Sequence, residues 1–242
     1  MRSSSKRIKQ IISFDSANAV YDFLQKPTIA IAEFLTGLLS SDQSTYKLSA
    51  GRLVQGAIKG RLLTQLGREI KELREKGEIK EDYFATNKNQ ATLLELLQFI
   101  DSDLPDEEVF NAMKSIFFSS ISKDANTKDE EVGYQLLKLC KKLNSYEILI
   151  LRVCHKIYTS ENTQNVNTGI NSFGDWVNIV SEKIGYELPE LVSASDDKLV
   201  ELGLLSGRGY SDKSGIRAGK EFRLTKLSIK LLEHISKHEA KK

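Results

Sequence analysis

Between positions 206 and 230 the chain places seven basic side chains, Arg208, Lys213, Arg217, Lys220, Arg223, Lys226 and Lys230, against two acids, Asp212 and Glu221. The whole chain carries a net charge of only +2, so this basic stretch is a local feature and not part of a general field. Gly207, Gly209, Gly215 and Gly219 fall in the same stretch. They suit a pliable hairpin loop between two short apolar segments, Leu204 with Leu205 and Phe222 with Leu224. Ammonium and guanidinium groups in such a loop contact phosphate oxygens, which gives strong, salt-sensitive binding without base reading. Arg208, Lys213, Arg217, Lys220 and Arg223 are therefore the candidate contacts to nucleic acid, or to an acidic protein partner.

The segment ahead of the loop has the opposite character. GYELPELVSASDDKLVEL, from Gly185 to Leu202, contains Glu187, Glu190, Asp196, Asp197 and Glu201 against a single lysine, Lys198. In a winged helix the element before the first wing strand enters the major groove. Carboxylates on that element repel phosphates, and Arg, Asn and Gln, the side chains that most often read base edges, are missing from it. The expected contact is thus loop-led and blind to sequence. The alternative, a sequence-specific transcriptional regulator, requires this acidic helix to reach base edges.

Other chemistry is less well served. SGIRAGKE has glycines four apart, Gly215 and Gly219, and Glu221 after Lys220, so it lacks the spacing and the hydroxyl of a phosphate-binding P-loop. Gly56 and Gly60 have the spacing of closely packed membrane helices. Arg52, Lys59, Arg61 and Arg68 around them favour packing in a soluble bundle, with a docking face for an anionic membrane surface as the weaker reading. Cys154 and His155 are neighbours on a helical pattern and point in different directions, which rules out a nucleophile–base pair. With Cys140, His234 and His238 they make no structural zinc pattern. Asp101, Asp103, Asp106, Glu107 and Glu108 read as a solvated helix start. No catalytic constellation, metal site or cofactor is expected, and the protein reads as non-enzymatic.

The elements that position the loop are mainly helical. Over 242 residues, 40% hydrophobic and 28% charged side chains are those of an ordinary soluble globular protein. MRSSSKRIKQIISFDS lacks the apolar core of a signal peptide, and the apolar run from Thr28 to Leu39 is broken by Glu33, so a cytoplasmic protein without a transmembrane segment is expected. Apolar residues at 53, 54, 58, 62, 66, 70 and 73 trace one stripe of a long helix ending at Gly77. Further stripes follow: Leu93, Leu96, Leu97 and Ile100; Val109, Met113, Ile116 and Phe117 behind Pro105; then Val132, Leu136, Leu139 and Leu143. Asn144 and Glu147 make a capping-box pattern before YEILILRVCHKIY. TSENTQNVNTGINS, residues 159–172, has no apolar period and reads as a linker. The expected architecture is a helical body over 1–158, this linker, and a small winged-helix-like α+β unit over 173–242. The helical body is expected to offer a surface to a protein partner or to a second copy.

The order of DLPDEEVFNAMKSIFF, KLCKKLNSYEILILRVCHKIY and LVELGLLS…FRLTKLSIKLLEHI resembles the abortive infection alpha family of bacterial proteins. The three motifs lie between residues 103 and 235, roughly half of the chain, and the N-terminal helical segment matches least well. The resemblance implies a bacterial role in phage defence and supplies no catalytic residues.

Overall fold

Helical period carries through into the fold. The structure, a computed structural model, describes residues 56–80, 83, 87–101, 105–160, 173–185, 189–207 and 222–239. Eight helices lie among them: α1 (Gly56–Glu75), α2 (Asn87–Ile100), α3 (Glu107–Ser120), α4 (Thr127–Cys140), α5 (Ser145–Thr159), α6 (Phe173–Ile184), α7 (Pro189–Glu201) and α8 (Lys226–Glu239). The chain divides into a first unit that runs to Lys142 and a second, Leu143–Lys237.

In the first unit α1 buries Leu62, Leu66 and Ile70, all on the expected stripe, and Leu63 beside it. It stops at Gly77, whose φ of 64° lets Gly77 N donate to Arg74 O at 3.0 Å and Glu78 N to Leu73 O at 2.9 Å. Asp106 caps α3, accepting from the amides of Glu108 and Val109. Phe110, Met113, Ile116 and Phe117 of α3 are fully enclosed and form the centre of this unit. Asn126 and Asp129 close a capping box on α4, within a stretch whose sequence reads only as a polar break. An isolated antiparallel bridge, Ile79 with Ser122, ties the turn after α1 to the turn after α3.

Polar side chains also fix how α1 and α3 lie together. Arg61 meets Glu107 at 2.6 Å, Gln65 meets Asn111 at 3.5 Å and Lys114 meets Glu69 at 2.7 Å. These contacts climb both helices in the same direction, one turn at a time, so the pair is parallel. Reversing either helix would set Arg61 toward Lys114 and Glu69 toward Glu107, pairing like charges.

The second unit contains α5 to α8. Its first helix begins with the expected capping box: Asn144 N donates to Glu147 Oε2 and Glu147 N to Asn144 Oδ1, each at 2.9 Å. Its helices bury Ile148, Ile150, Leu151 and Cys154 of α5, Trp176, Val177 and Val180 of α6, Val192 and Leu199 of α7, and Leu231, Leu232 and Ile235 of α8, together with Leu204, Leu205, Phe222 and Leu224 between α7 and α8. The sequence places the division of the chain at 159–172 and α5 in the helical body. In the structure the division falls before α5, because this helix packs on α6 and α7. Residues 161–172 lie outside the described residues.

The mainly helical expectation holds among the described residues, and the β component is smaller than expected. The strands expected on either side of the loop amount, among the described residues, to one antiparallel bridge, Leu205 with Leu224. Phe222 and Arg223 have φ of 49° and 68°, a left-handed backbone that cannot belong to an extended strand. No described helix is long and apolar enough to cross a membrane.

Candidate nucleic-acid interface

The base of the basic loop is built by α7 and α8. Val192, Asp196 and Leu199 share the buried face of α7, so a carboxylate stands where helical period asks for an apolar residue. Gly203, with φ of 70°, ends the helix: Gly203 N donates to Val200 O at 2.9 Å and Leu204 N to Leu199 O at 2.8 Å. The chain then reaches Leu205 and its bridge to Leu224. Ser206 N donates to Arg223 O at 2.7 Å and Thr225 N to Leu204 O at 3.2 Å. Thr225 Oγ1 accepts from Ser228 N at 3.2 Å and donates to Gly203 O at 2.7 Å, which fixes the start of α8 against the end of α7.

Arg223 closes this neck from inside. Its Nη1 lies 2.8 Å from Asp196 Oδ1, and the side chains of both residues are 1% exposed. Nη2 and Nε donate to Ser206 O at 2.9 and 3.3 Å. The guanidinium carbon sits 4.5 Å from the centre of the Trp176 ring and 5.9 Å from that of Phe173, in reach of their π faces. Trp176 in turn stacks with Phe173 at 6.0 Å and 17° and meets Phe222 at 6.5 Å. One side chain thus joins α6, α7 and the first residue of the loop. Two consecutive left-handed residues that are not glycine cost about 1–2 kcal/mol each. The packing of Phe222 on Trp176 and the pairing of Arg223 with Asp196 hold them in place.

The charge of Arg223 extends to Cys154. Burial pushes the Cys154 thiol up to about 12, and nearby Arg223 draws it down by less. Cys154 is fully enclosed, and next to it on α5 His155 is half-buried, so the two side chains face different surroundings, as adjacent helical positions must. Burial lowers the His155 pKa, with Glu233 acting in the opposite sense.

Of the residues expected to grip a polyanion, Arg208, Lys213, Arg217 and Lys220 lie outside the described residues. Arg223 is described, and it is enclosed and matched to Asp196 instead of facing solvent. Its charge is therefore neutralised locally, and it belongs to the support of the loop. Lys226 and Lys230 of α8 are exposed, with Lys230 3.8 Å from Glu233. On α7 the acids separate into two roles: Asp196 is buried, while Glu190, Asp197 and Glu201 are exposed along one face. Glu187 lies outside the described residues.

The sequence reading counts Asp196 among the acids that repel phosphates and gives neither it nor Trp176 a role at the loop. The signal for Asp196 was its position between Val192 and Leu199 on one stripe, where an acid needs a partner. Among the described residues no group of three or more His, Cys, Asp or Glu is placed to hold a metal ion. No family model, no curated protein and no solved structure matches the chain.

Proposed function

We propose that this is a non-enzymatic bacterial interaction protein of phage defence, of the abortive-infection type, whose basic loop contacts nucleic acid or an acidic partner. The observation that carries the binding half of this reading is the neck. Ser206 and Arg223, described residues on either side of positions 208–221, are tied to each other by hydrogen bonds and to α7 through a buried ion pair. A loop held at its base loses less freedom when its lysines and arginines meet phosphates, so more of each contact appears as affinity. One bridge, Leu205 with Leu224, joins the two sides of the loop between α7 and α8; in the winged-helix reading of this segment the wing would make the contact. The defence half rests on the motif resemblance and on nothing in the geometry.

The exposed face of α7 argues against the second reading, a transcriptional regulator that reads the major groove. Glu190, Asp197 and Glu201 face solvent where a recognition helix would present base-reading side chains. Titration against labelled duplex and single-stranded DNA at two salt concentrations tests the proposal. Binding at low salt that weakens with salt, and is lost when Arg208, Lys213, Arg217 and Lys220 become alanine, supports it. Absence of binding at low salt, or binding untouched by the four alanines, rejects it.

A further inference from the structure

The helices on either side of the neck turn opposite charges to solvent. On α7, Val192, Asp196 and Leu199 are buried, and the opposite side carries Glu190, Ala194, Asp197 and Glu201, all four exposed. On α8, Ser228, Leu231, Leu232 and Ile235 are buried, and the outer side carries Lys226, Lys230, Glu233 and Lys237, again all exposed. Steps of four, three and four residues separate the members of each row, so each forms one line along its helix, about 16 Å long. Leu191 stands beside the first residue of the α7 row and Leu227 beside the first residue of the α8 row, 44% and 42% exposed. Among the described residues of this unit they are the large apolar side chains left exposed.

The order of the charges fits one register. Laid antiparallel, Glu201 faces Lys226, Asp197 faces Lys230, Ala194 faces Glu233 and Glu190 faces Lys237. That gives three pairs of opposite charge, with the one acid of the α8 row set against the one neutral position of the α7 row. Laid parallel, the same rows give two such pairs and bring Asp197 against Glu233, like against like. Within one chain both rows are exposed, so neither covers the other. The surface that carries the matching row is a second copy of this chain.

We infer that the protein self-associates through these rows, α7 of one copy lying antiparallel on α8 of another. The exposed Lys230–Glu233 pair, at 3.8 Å, is loose enough for Lys230 to turn to Asp197 of the second copy. Leu191 and Leu227 then lie at opposite ends of the seam and add apolar contact to it. Exposed ion pairs each contribute little and the seam is only one helix long, so the association is transient and weakened by salt. It needs neither the basic loop nor a nucleic acid, and at the low protein concentrations of a DNA titration the copies are apart.

Sedimentation velocity of the full chain, over a range of protein concentrations and at two salt concentrations, reads the association, beside circular dichroism and thermal melting. The wild type should associate at low salt and dissociate as salt rises. E190K/E201K and K226E/K237E each set like charges together at two of the three pairs, and each should associate about tenfold more weakly than the wild type. An equimolar mixture of the two restores opposite charges in either pairing of α7 with α8 and should recover association, which a folding defect in either variant cannot produce. A194K tests the register: its lysine faces Glu233 and should strengthen association about threefold although the α7 row becomes less acidic, while A194E should weaken it by as much. Lysine and glutamate both suit an exposed helix position, so this second comparison holds even where a charge reversal fails to fold. A wild type that stays monomeric at low salt and high concentration overturns the inference, and a monomer that instead binds polylysine through α7 assigns that face to a basic partner and overturns it too. Self-association that both reversals leave intact, or a mixture of folded reversals that stays apart, overturns it as well.

Discussion

Lys114 Nζ lies 2.7 Å from Glu69 Oε1 in the interior of the first unit, with the lysine side chain 1% and the glutamate side chain 9% exposed. Gln65 Nε2 reaches the same carboxylate oxygen at 3.1 Å, and the ammonium stands 5.4 Å from the centre of the Phe110 ring. The pair is the most buried of the three polar contacts named between the parallel helices α1 and α3, and its value is asymmetric. K114M leaves a buried carboxylate without its counter-ion and should destabilise the chain by about 3–5 kcal/mol, whereas E69L/K114M should recover most of that loss. Urea unfolding midpoints of the two variants check this. A double variant no more stable than K114M would show that the pair itself, and not the stranded charge, holds the helices together.

Gly133 makes a different demand on the same unit. A Cβ placed there would stand 2.5 Å from Ser120 Cβ, so α3 and α4 approach each other through a position that only hydrogen can occupy. Gly to Ala inside a helix ordinarily stabilises by about 1 kcal/mol. G133A should here do the reverse and cost about 1–3 kcal/mol by overpacking. S120G/G133A, which removes the opposing Cβ, should restore stability toward that of S120G alone. Thermal melting of the three variants decides between a steric clash and a general preference for glycine.

These two features also mark how far the sequence could be read. The helices were legible because apolar stripes such as Leu93, Leu96, Leu97 and Ile100 recur with the helical period, and because Asn144 with Glu147 announces the start of α5. Lys114 was not legible as a core residue: its long stem follows the α3 stripe, and Glu69, which helps make its charge tolerable inside, stands on another helix. Arg223 was misleading for the opposite reason, since in a run of basic residues it looks like its neighbours. What separates it from them is Asp196 on α7 and a left-handed backbone at a residue other than glycine, and neither has a periodic signature. The α+β expectation lost most of its strand content at the same point.

Cys154 gives a pH prediction with a definite sign. Its folded pKa is raised from 9.0 to about 12 by burial, so the folded state holds the thiol proton where the unfolded chain has released it. Between those two values the native state binds more protons than the unfolded state, and stability falls as pH rises, by up to about 1.4 kcal/mol per pH unit for one such group. Below pH 9 the contribution is complete and flat. C154A should be less stable than the wild type at neutral pH because of its cavity, yet lose stability less steeply at alkaline pH. Denaturant titrations at several pH values check the difference in slope, and parallel slopes for the two proteins would refute it. The same burial predicts that a thiol reagent at neutral pH reacts with Cys154 only as fast as the chain unfolds.

The acids of α7 yield the last prediction, which bears on how the loop meets a polyanion. Glu190, Asp197 and Glu201 are exposed on the helix that leads into the neck, and Asp196 is the one acid of that helix turned inward. If the loop contacts phosphates, exposed carboxylates on the adjoining helix repel the flanking phosphates and keep that helix off the duplex. E190Q/D197N/E201Q should then bind a DNA duplex more tightly at low salt, by about threefold to tenfold in all, since screened surface charges are each worth a few tenths of a kcal/mol. The gain should shrink as salt is raised toward physiological strength, where the screening length is about 8 Å. The substitutions leave the Asp196–Arg223 pair and the loop untouched, so a melting temperature close to the wild-type value is expected alongside. Unchanged affinity in a folded triple variant would mean that α7 does not approach the nucleic acid at all, and would place the contact wholly on the far side of the loop.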